Sequence, residues 1–245
     1  IDRLRVYNHS KGRPPDVWLF NPDAEDQCAH PGGDYAPNKR VAGMQQDLET
    51  LPMLLAKQDD VVLVSKLPDA SYLNDLMDLG FAIPEFVVAD TSHPRLTKRH
   101  ELVGRHCGTL RPWGWSPRVR KFLTPLSAEN LAPWLDGPAR QDALFSKAWF
   151  AERYDRLTHD LPFADACLVE PPPERVTSME ETQASIARLF ENGFPMVVLK
   201  SPFGTSGRRN IRLRPDEPNT RQRAWIQRTL DVQGALVVEG FFEKV

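Results

Sequence analysis

Short apolar runs alternate with amphipathic stretches over the first third of the chain. Three of these runs have the length and the β-branched content of buried strands: residues 17–20, 61–64 and 86–88. Between the first two runs, apolar residues recur at steps of three and four, the spacing of one helical face, and residues 73–79 predict a second helix that ends at Gly80. Strands that alternate with helices favour a parallel sheet covered by helices.

The first predicted helix contains an interruption. Its apolar face consists of five residues: Val41, Met44, Leu48, Leu51 and Leu55. Pro52 lies within this face and has no amide hydrogen to donate, so we expect the helix to be kinked or split there. The whole pattern predicts a small Rossmann-like α/β unit. It lacks the G-x-G-x-x-G fingerprint, so dinucleotide binding by this unit is not supported.

The pattern becomes irregular from about residue 91 to residue 140. This stretch contains the run Arg-Pro-Trp-Gly-Trp-Ser-Pro at 111–117. One interpretation is a proline-stiffened connection whose tryptophans pack on a neighbouring domain, and the other is a surface for a substrate or partner, because Trp and Arg are common anchors. We favour the packing interpretation and predict an irregular linker over this region.

Regular elements return after residue 140, and we predict a boundary there between a first domain of residues 1–140 and a second of 141–245. Ser178 and Glu181 form a capping box that opens a helix, and Asn192-Gly193 ends it. The other predicted elements are helices at 144–157 and 220–230 and strands at 164–169, 196–199, 211–213 and 235–239. Mixed helices and strands of this kind predict an α+β domain.

Composition narrows the class of protein. The chain has 245 residues, a formal net charge of −2, 41% hydrophobic and 26% charged residues, which is the balance of a globular protein. Near-neutral charge argues against chain-wide binding to nucleic acid, and no apolar run is long enough for a membrane span. Three scattered cysteines, Cys28, Cys107 and Cys167, fit free thiols in a reducing compartment. These features predict a soluble, cytoplasmic protein.

The strongest chemical motif is the segment VVLKSPFGTSGRRNIRL at 197–213. A buried strand ends at Lys200, a glycine-rich loop follows, and the chain returns as a strand. Glycines allow close approach of the backbone to phosphate, and a lysine on a strand supplies a fixed positive charge. Residues 200–230 hold eight Lys and Arg residues against two acids. The motif therefore indicates polyphosphate binding, although an exposed hairpin beside a solvated arginine-rich helix is the alternative. It is not a Walker A loop, in which the lysine follows the glycines.

Three pieces of the second half, in this order, resemble the ATP-grasp superfamily. Lys147 in FSKAWFAERY is similar to the first nucleotide-binding lysine of that family. Residues 195–207 are similar to its second lysine with the glycine-rich loop, and residues 237–243 are similar to the hinge strand that recognises adenine. The preceding Rossmann-like domain also fits that family. The fold class expected from the resemblance is α/β, a pre-ATP-grasp domain followed by the first α+β subdomain of an ATP-grasp fold.

The resemblance implies a role for each residue of these pieces. Lys147 and Lys200 are expected to bind the α- and β-phosphates of ATP, while the main chain at Glu239 and Phe242 meets the adenine edge and Glu243 is a candidate ribose contact. The loop expected to close over the β- and γ-phosphates includes Ser201, Phe203, Gly204, Thr205, Ser206 and Gly207, and Phe203 is expected to pack over the nucleotide. Phe241 belongs to the same hinge. Two plainer interpretations stay open: Lys147 extends to solvent, or Glu239 is an edge-strand charge that discourages strand pairing.

The activity that the resemblance implies is a ligase. It would use Mg-ATP to phosphorylate a carboxylate and couple the acylphosphate to an amine. The chain begins with Ile1 and stops at Val245, just after the predicted hinge, so we expect a fragment that is inactive alone and lacks the C-terminal ATP-grasp subdomain with the Mg²⁺ ligands. The alternatives are a non-catalytic nucleotide-binding or scaffold module and an ATP-dependent small-molecule kinase. Scattered His and Cys residues match no zinc pattern, and a homodimer is one open assembly.

Overall fold

A computed structural model describes most of the chain, and its contacts divide the protein into two compact units. The described residues are 12–30, 35–37, 39–126, 128–130, 143–159, 171–204 and 209–241. The first unit comprises residues within 1–27 and 31–138, and the second comprises 28–30 and residues within 139–245. The boundary predicted near residue 140 falls in 131–142, outside the described residues.

The first unit is built on a five-stranded parallel sheet. Its strands are β1 (Val17–Leu19), β2 (Val61–Val64), β3 (Glu85–Val88), β4 (Cys107–Pro112) and β5 (Ala128–Asn130), in the order β3-β2-β1-β4-β5. Val17 pairs with Val61 on one side and with Leu110 on the other, so β1 is central. The predicted α/β class is confirmed.

Helices connect these strands. They are α1 (Ala24–Cys28), α2 (Lys39–Leu48), a 3₁₀ turn (Leu51–Leu54), α3 (Ala70–Asp78) and α4 (Pro117–Leu123). Pro52 occupies the start of the 3₁₀ turn, so the predicted split of the first helix is confirmed. The apolar face of α2 is not covered as expected, because Met44 and Leu48 remain 45% and 39% exposed.

Alternation along the strands of the first unit gives each face of its sheet a core. Val17, Leu19, Val61 and Leu63 join the larger core on one face. The intervening residues of β1 and β2, together with the 3₁₀ turn, form a smaller core on the other face. The sheet is therefore apolar on both faces, as expected for parallel strands.

The prediction of an irregular linker from residue 91 is wrong for residues 107–123. β4 lies beside β1, and α4 follows it, with Ser116 accepting a hydrogen bond from the amide of Val119 at its N-terminus. This strand was not predicted, because its sequence, CGTLRP, contains Gly, Arg and Pro rather than an apolar run. Trp115 packs in the core of this unit, whereas Trp113 is 56% exposed.

Buried carboxylates join the amino ends of these strands. Asp60 is 1% exposed and accepts hydrogen bonds from the amide of Asp16 at 3.1 Å and from Trp18 Nε1 at 3.0 Å. Asp16 in turn accepts from the amide of Thr109 at 2.9 Å and from Arg111 Nε at 2.6 Å. The two acids therefore link β1, β2 and β4 near the amino-terminal ends of these strands.

The second unit contains an antiparallel sheet of four described strands. These are β6 (Glu174–Val176), β7 (Val197–Lys200), β8 (Asn210–Leu213) and β9 (Leu236–Gly240), in the order β6-β9-β7-β8. Its helices are α5 (Lys147–Ala151), α6 (Tyr154–Thr158), α7 (Met179–Glu191) and α8 (Thr220–Gln233). The α+β arrangement is confirmed, and β7 has nearly the predicted bounds.

Two predictions for this unit differ from the structure. The helix expected over 144–157 is two short helices, because Arg153 leaves the helical conformation and its guanidinium lies 4.6 Å from the centre of the Trp149 ring. Strand β6 was not predicted, since its sequence is only Glu-Arg-Val. The strand predicted at 164–169 lies outside the described residues. The helix predicted from Ser178 is confirmed, with Ser178 accepting from the amide of Glu181.

Candidate functional site

The candidate site lies on one face of the antiparallel sheet of the second unit. Val198 pairs with Glu239, and Lys200 pairs with Val237, so these four residues point to the same face. The alternate residues, such as Val197 and Leu199, point to the other face and are fully buried beneath α7 and α8. Because the hydrophobic core takes that face, Lys200 and Glu239 are directed to the face on which α5 packs.

Helix α5 brings Lys147 to this face. Ala148 is buried against Ala235 and Val237, which fixes the first turn of the helix over β9. Ser146 accepts a hydrogen bond from the amide of Trp149 and so caps the N-terminus immediately before Lys147. The small alanine side chain allows the helix to approach the sheet closely, and the lysine beside it extends over the end of β7.

Lys147 is attached to the glycine-rich loop at two points. Its amide donates to the carbonyl of Pro202 at 2.9 Å, and its Nζ donates to the carbonyl of Gly204 at 2.8 Å. The alternative in which Lys147 only extends to solvent is therefore wrong. The lysine of the helix and the loop that follows Lys200 form one local structure.

Lys200 is a half-buried cation with one acidic partner. Its ammonium forms an ion pair with the carboxylate of Glu239, and the two side chains are 29% and 22% exposed. Burial lowers the pKa of Lys200 from its usual range, and the charge of Lys147 lowers it further, although Glu239 is adjacent. Lys147 therefore acts on Lys200 as a like charge, which favours the neutral form of Lys200.

The first residues of the loop are held by hydrogen bonds. Ser201 is 1% exposed, its hydroxyl donates to the carbonyl of Phe203 at 2.7 Å, and its amide donates to the carbonyl of Arg209 at 3.2 Å. The amide of Phe203 donates to Gln233 Oε1 at 3.0 Å, at the end of α8. Gln233 is a contact that the sequence did not reveal, because it lies 30 residues further along the chain.

The predicted hinge is only partly as expected. The amide of Phe241 donates to the carbonyl of Met196 at 3.0 Å, so the main chain of Glu239, two residues earlier, also faces β7. The prediction that the Glu239 main chain is open to an adenine ring is therefore wrong. The edge-strand interpretation of Glu239 is also wrong, since β9 lies between β6 and β7.

The main-chain N–H and C=O groups of Gly240 point in the opposite direction from those of Glu239. The backbone groups of successive strand residues point in opposite directions, so those of Gly240 point away from β7 and toward the β6 side of β9. The pairing of β6 with β9 ends at Glu174 and Val238, two residues before Gly240. Beside it, the Arg212 guanidinium lies 4.5 Å from the centre of the Phe241 ring. Gly240 was predicted only as a member of the hinge segment 237–243, and Arg212 was not identified from the sequence as a site residue.

Several predicted site residues lie outside the described residues: Thr205, Ser206, Gly207, Phe242 and Glu243. Within the described residues, no group of three or more His, Cys, Asp or Glu side chains is placed to hold a metal ion. Every helix in the described part of the chain is too short or too polar to cross a lipid bilayer.

No family model matches the chain, and no curated protein matches it. Among solved structures, the protein is similar to the D-alanyl-alanine synthetase A of Vibrio cholerae O1 biovar eltor str. N16961, with 7% sequence identity and a TM-score of 0.44. The similarity covers 95% of this chain and 61% of the synthetase, so the chain spans less than two thirds of that protein. At this identity and TM-score, no correspondence of individual residues follows.

Proposed function

We propose that the second unit binds ATP through Lys147, Lys200 and the loop between β7 and β8. The observation that carries the proposal is that Lys147, 53 positions before Lys200, donates from its Nζ to the carbonyl of Gly204 in the loop that directly follows Lys200. This is the arrangement that the resemblance to the ATP-grasp superfamily implies for the phosphates.

The electrostatics of the lysine pair support an anionic ligand. Burial and the charge of Lys147 both disfavour the charged form of Lys200, and the carboxylate of Glu239 pairs with this ammonium. A polyphosphate placed beside both ammonium groups removes the repulsion and supplies acceptors for their N–H groups. Binding should therefore raise the pKa of Lys200 toward its usual range.

The residues of the β7–β8 loop and of the hinge are proposed to contact the same nucleotide. Ser201, Phe203 and Gly204 begin the loop that covers the β- and γ-phosphates, and Thr205, Ser206 and Gly207 continue it. Gly240, with its main-chain groups directed away from β7, replaces Glu239 as the contact to the adenine edge. Phe241, Phe242 and Glu243 complete the hinge side of the nucleotide.

For the complete protein we propose an ATP-dependent carboxylate–amine ligase. The γ-phosphoryl group passes from ATP to a carboxylate oxygen, which gives ADP and an acylphosphate. An amine then attacks the acyl carbon, and inorganic phosphate leaves with the bonding electrons. The two lysines would stabilise the charge that moves onto the β–γ bridging oxygen, which is how electrostatic catalysis of phosphoryl transfer operates.

Magnesium would supply further charge neutralisation on the phosphates. Among the described residues, no group of three or more His, Cys, Asp or Glu side chains is placed to supply ligands for its octahedral oxygen shell. No step is assigned to the metal.

Isothermal titration calorimetry with ATP tests the proposal on the chain as it stands. Lys200→Met keeps the length of the side chain and removes its charge, and we expect ATP affinity to fall at least ten-fold, the loss typical of a charge-assisted hydrogen bond. Arg228→Met, at an exposed position of α8, is the matched control and should keep the wild-type affinity. Wild-type affinity in Lys200→Met, or equal losses in the two variants, would contradict the proposal.

A further inference from the structure

A separate cavity opens within the first unit, at the carboxyl ends of β1 and β2. Its volume is about 450 Å³, within the range of small-molecule sites. The apolar part of its lining consists of Leu19, Phe20, Leu63, Val64, Val119 and Phe122. In a parallel sheet, ligands usually bind in the crevice where the strand order reverses, at the carboxyl ends of the strands. Here the order reverses at β1, because β2 and β3 lie on one side of it and β4 and β5 lie on the other.

Asp23 is the unusual group in the wall of this cavity. It follows β1, and it is only 5% exposed. Within the described residues, its carboxylate accepts one side-chain hydrogen bond, from Gln27 Nε2 to Oδ1 at 3.0 Å. Gln27 is itself held by the hydroxyl of Ser116, which donates to Gln27 Oε1. In the described part of the chain, no donor contacts the second oxygen of the carboxylate, and this oxygen is not sealed from solvent.

The two other acids of the wall differ from Asp23. Glu49 accepts from the amide and the hydroxyl of Ser65 and from the amide of Lys66, at 2.8, 2.9 and 3.3 Å. Asp90 accepts from the amide and hydroxyl of Ser92 and contacts the ring of His93. Local donors thus satisfy both of these carboxylates, and only Asp23 is left to bind something that enters the cavity.

The balance of charge in the wall favours a cationic ligand over an anionic one. Arg118 is the basic residue of the described lining, and its guanidinium donates to the carbonyls of Tyr35 at 2.7 Å, Thr91 at 3.1 Å and Ser92 at 3.5 Å. Its role is to join two loops at the rim. Against this one cation the lining has three acids, so the cavity repels phosphates and carboxylates and attracts cations.

We propose that this cavity binds a small organic cation, a primary amine with an apolar body. The ammonium donates to the free oxygen of Asp23, and the body packs on Leu19, Val119 and Phe122. This inference is independent of nucleotide binding by the second unit, because it rests on residues of the first unit alone.

A charge series of one ligand shape tests the proposal. The probes are 4-phenylbutylamine, 4-phenylbutan-1-ol and 4-phenylbutyrate, and their binding is measured by calorimetry and by NMR shifts of the methyl groups of Leu19 and Val119. We expect the amine to bind at least ten-fold more tightly than the alcohol, and the carboxylate to bind more weakly still. Equal binding of the three probes, no binding of the amine, or shifts confined to other methyl groups would overturn the proposal.

Asp23→Asn supplies the second arm of the test. Asparagine keeps the shape and can still accept from Gln27, so we expect the affinity for the amine to fall at least ten-fold while the affinity for the alcohol changes less than two-fold. Asp26→Asn removes a carboxylate from α1, which begins directly after Asp23, but not from the cavity wall, and it should keep wild-type affinities. Equal losses in both variants would contradict the assignment to Asp23. If Asp23→Asn does not fold, the probe series on the wild-type protein decides.

Discussion

Lys147 donates from its Nζ to the carbonyl of Gly204 at 2.8 Å, across 57 positions of the chain. The bond joins the first residue of α5 to the loop after β7, while burial and the nearby charge of Lys147 lower the pKa of Lys200. Lys147 therefore has two separable effects, one on the loop and one on the protonation of Lys200.

Replacing Lys147 by methionine should change that protonation in a defined direction. Removing a nearby positive charge favours the ammonium form of Lys200, so its pKa should rise toward the usual range for lysine. NMR detection of the Lys200 side chain over a pH titration measures the shift. Arg228→Met should leave the pKa unchanged, and a fall of the pKa in Lys147→Met would contradict the geometry of the site.

The ion pair of Lys200 and Glu239 should behave as a unit in stability measurements. Glu239→Gln leaves a half-buried ammonium beside Lys147 and should lower the free energy of unfolding by about 1–2 kcal/mol. Adding Lys200→Met should recover most of the loss, because no uncompensated charge remains. Urea unfolding of the two single variants and the double variant measures the coupling, and strictly additive losses would show that the two side chains do not interact.

Asp16 should make stability depend on pH in the acid range. Burial alone raises the pKa of Asp16, but hydrogen bonds from Thr109 and Arg111 outweigh burial and hold the pKa below its usual range. A lowered carboxyl pKa contributes stability above the ordinary value near 4, and this contribution disappears as the pH falls through the lowered pKa. Asp16→Asn should therefore cost about 1–2 kcal/mol at pH 7 and progressively less below pH 4.

Urea unfolding of wild type and Asp16→Asn between pH 2 and pH 7, roughly the range over which carboxylates titrate, checks this expectation. Asp78→Asn, at the exposed end of α3, is the control and should follow the wild-type curve. A difference between Asp16→Asn and wild type that grows toward acid pH would have the wrong sign for a lowered pKa.

Gly240 should not tolerate a side chain. A Cβ at this position would overlap the ring of Phe194, so Gly240→Ala should destabilise the protein by about 1–3 kcal/mol, the usual cost of overpacking. Phe194→Leu in the same chain should recover part of this loss. Gly43→Ala is the matched control, because it lies within α2 with no atom close to the new Cβ and should stabilise by about 0.5–1 kcal/mol. Thermal unfolding of the variants compares them.

The elements that could be predicted from the sequence are those with a clear pattern of apolar and polar residues. Strand β2 and helix α7 have nearly the predicted bounds, since an apolar run and a capped amphipathic pattern define them. Strand β4 was missed because its central place in the sheet comes from pairing with β1, and pairing leaves no local pattern in a short sequence with Gly and Pro.

The site was predicted to a similar extent. Lys147 and Lys200 were identified from motifs, and in the structure Lys147 contacts Pro202 and Gly204 in the loop that follows Lys200, while their binding of phosphate stays a prediction. The ion pair with Glu239 and the hydrogen bond from Phe203 to Gln233 depend on strand register and on the end of a helix, and a single sequence does not encode these locally. The main-chain direction at Glu239 and Gly240 likewise depends on register.

The bonds at the start of the β7–β8 loop have a mechanical consequence. Pro202 is held by the amide of Lys147, Phe203 by Gln233, and Gly204 by the ammonium of Lys147. Of these three bonds, the third alone uses a charged donor, the ammonium, which an incoming phosphate would attract most strongly. A nucleotide that draws this ammonium away would exchange one hydrogen-bond partner of Lys147 for another and remove one of the bonds that hold Gly204. Ligand affinity and amide exchange rates around that glycine should then vary together across lysine variants.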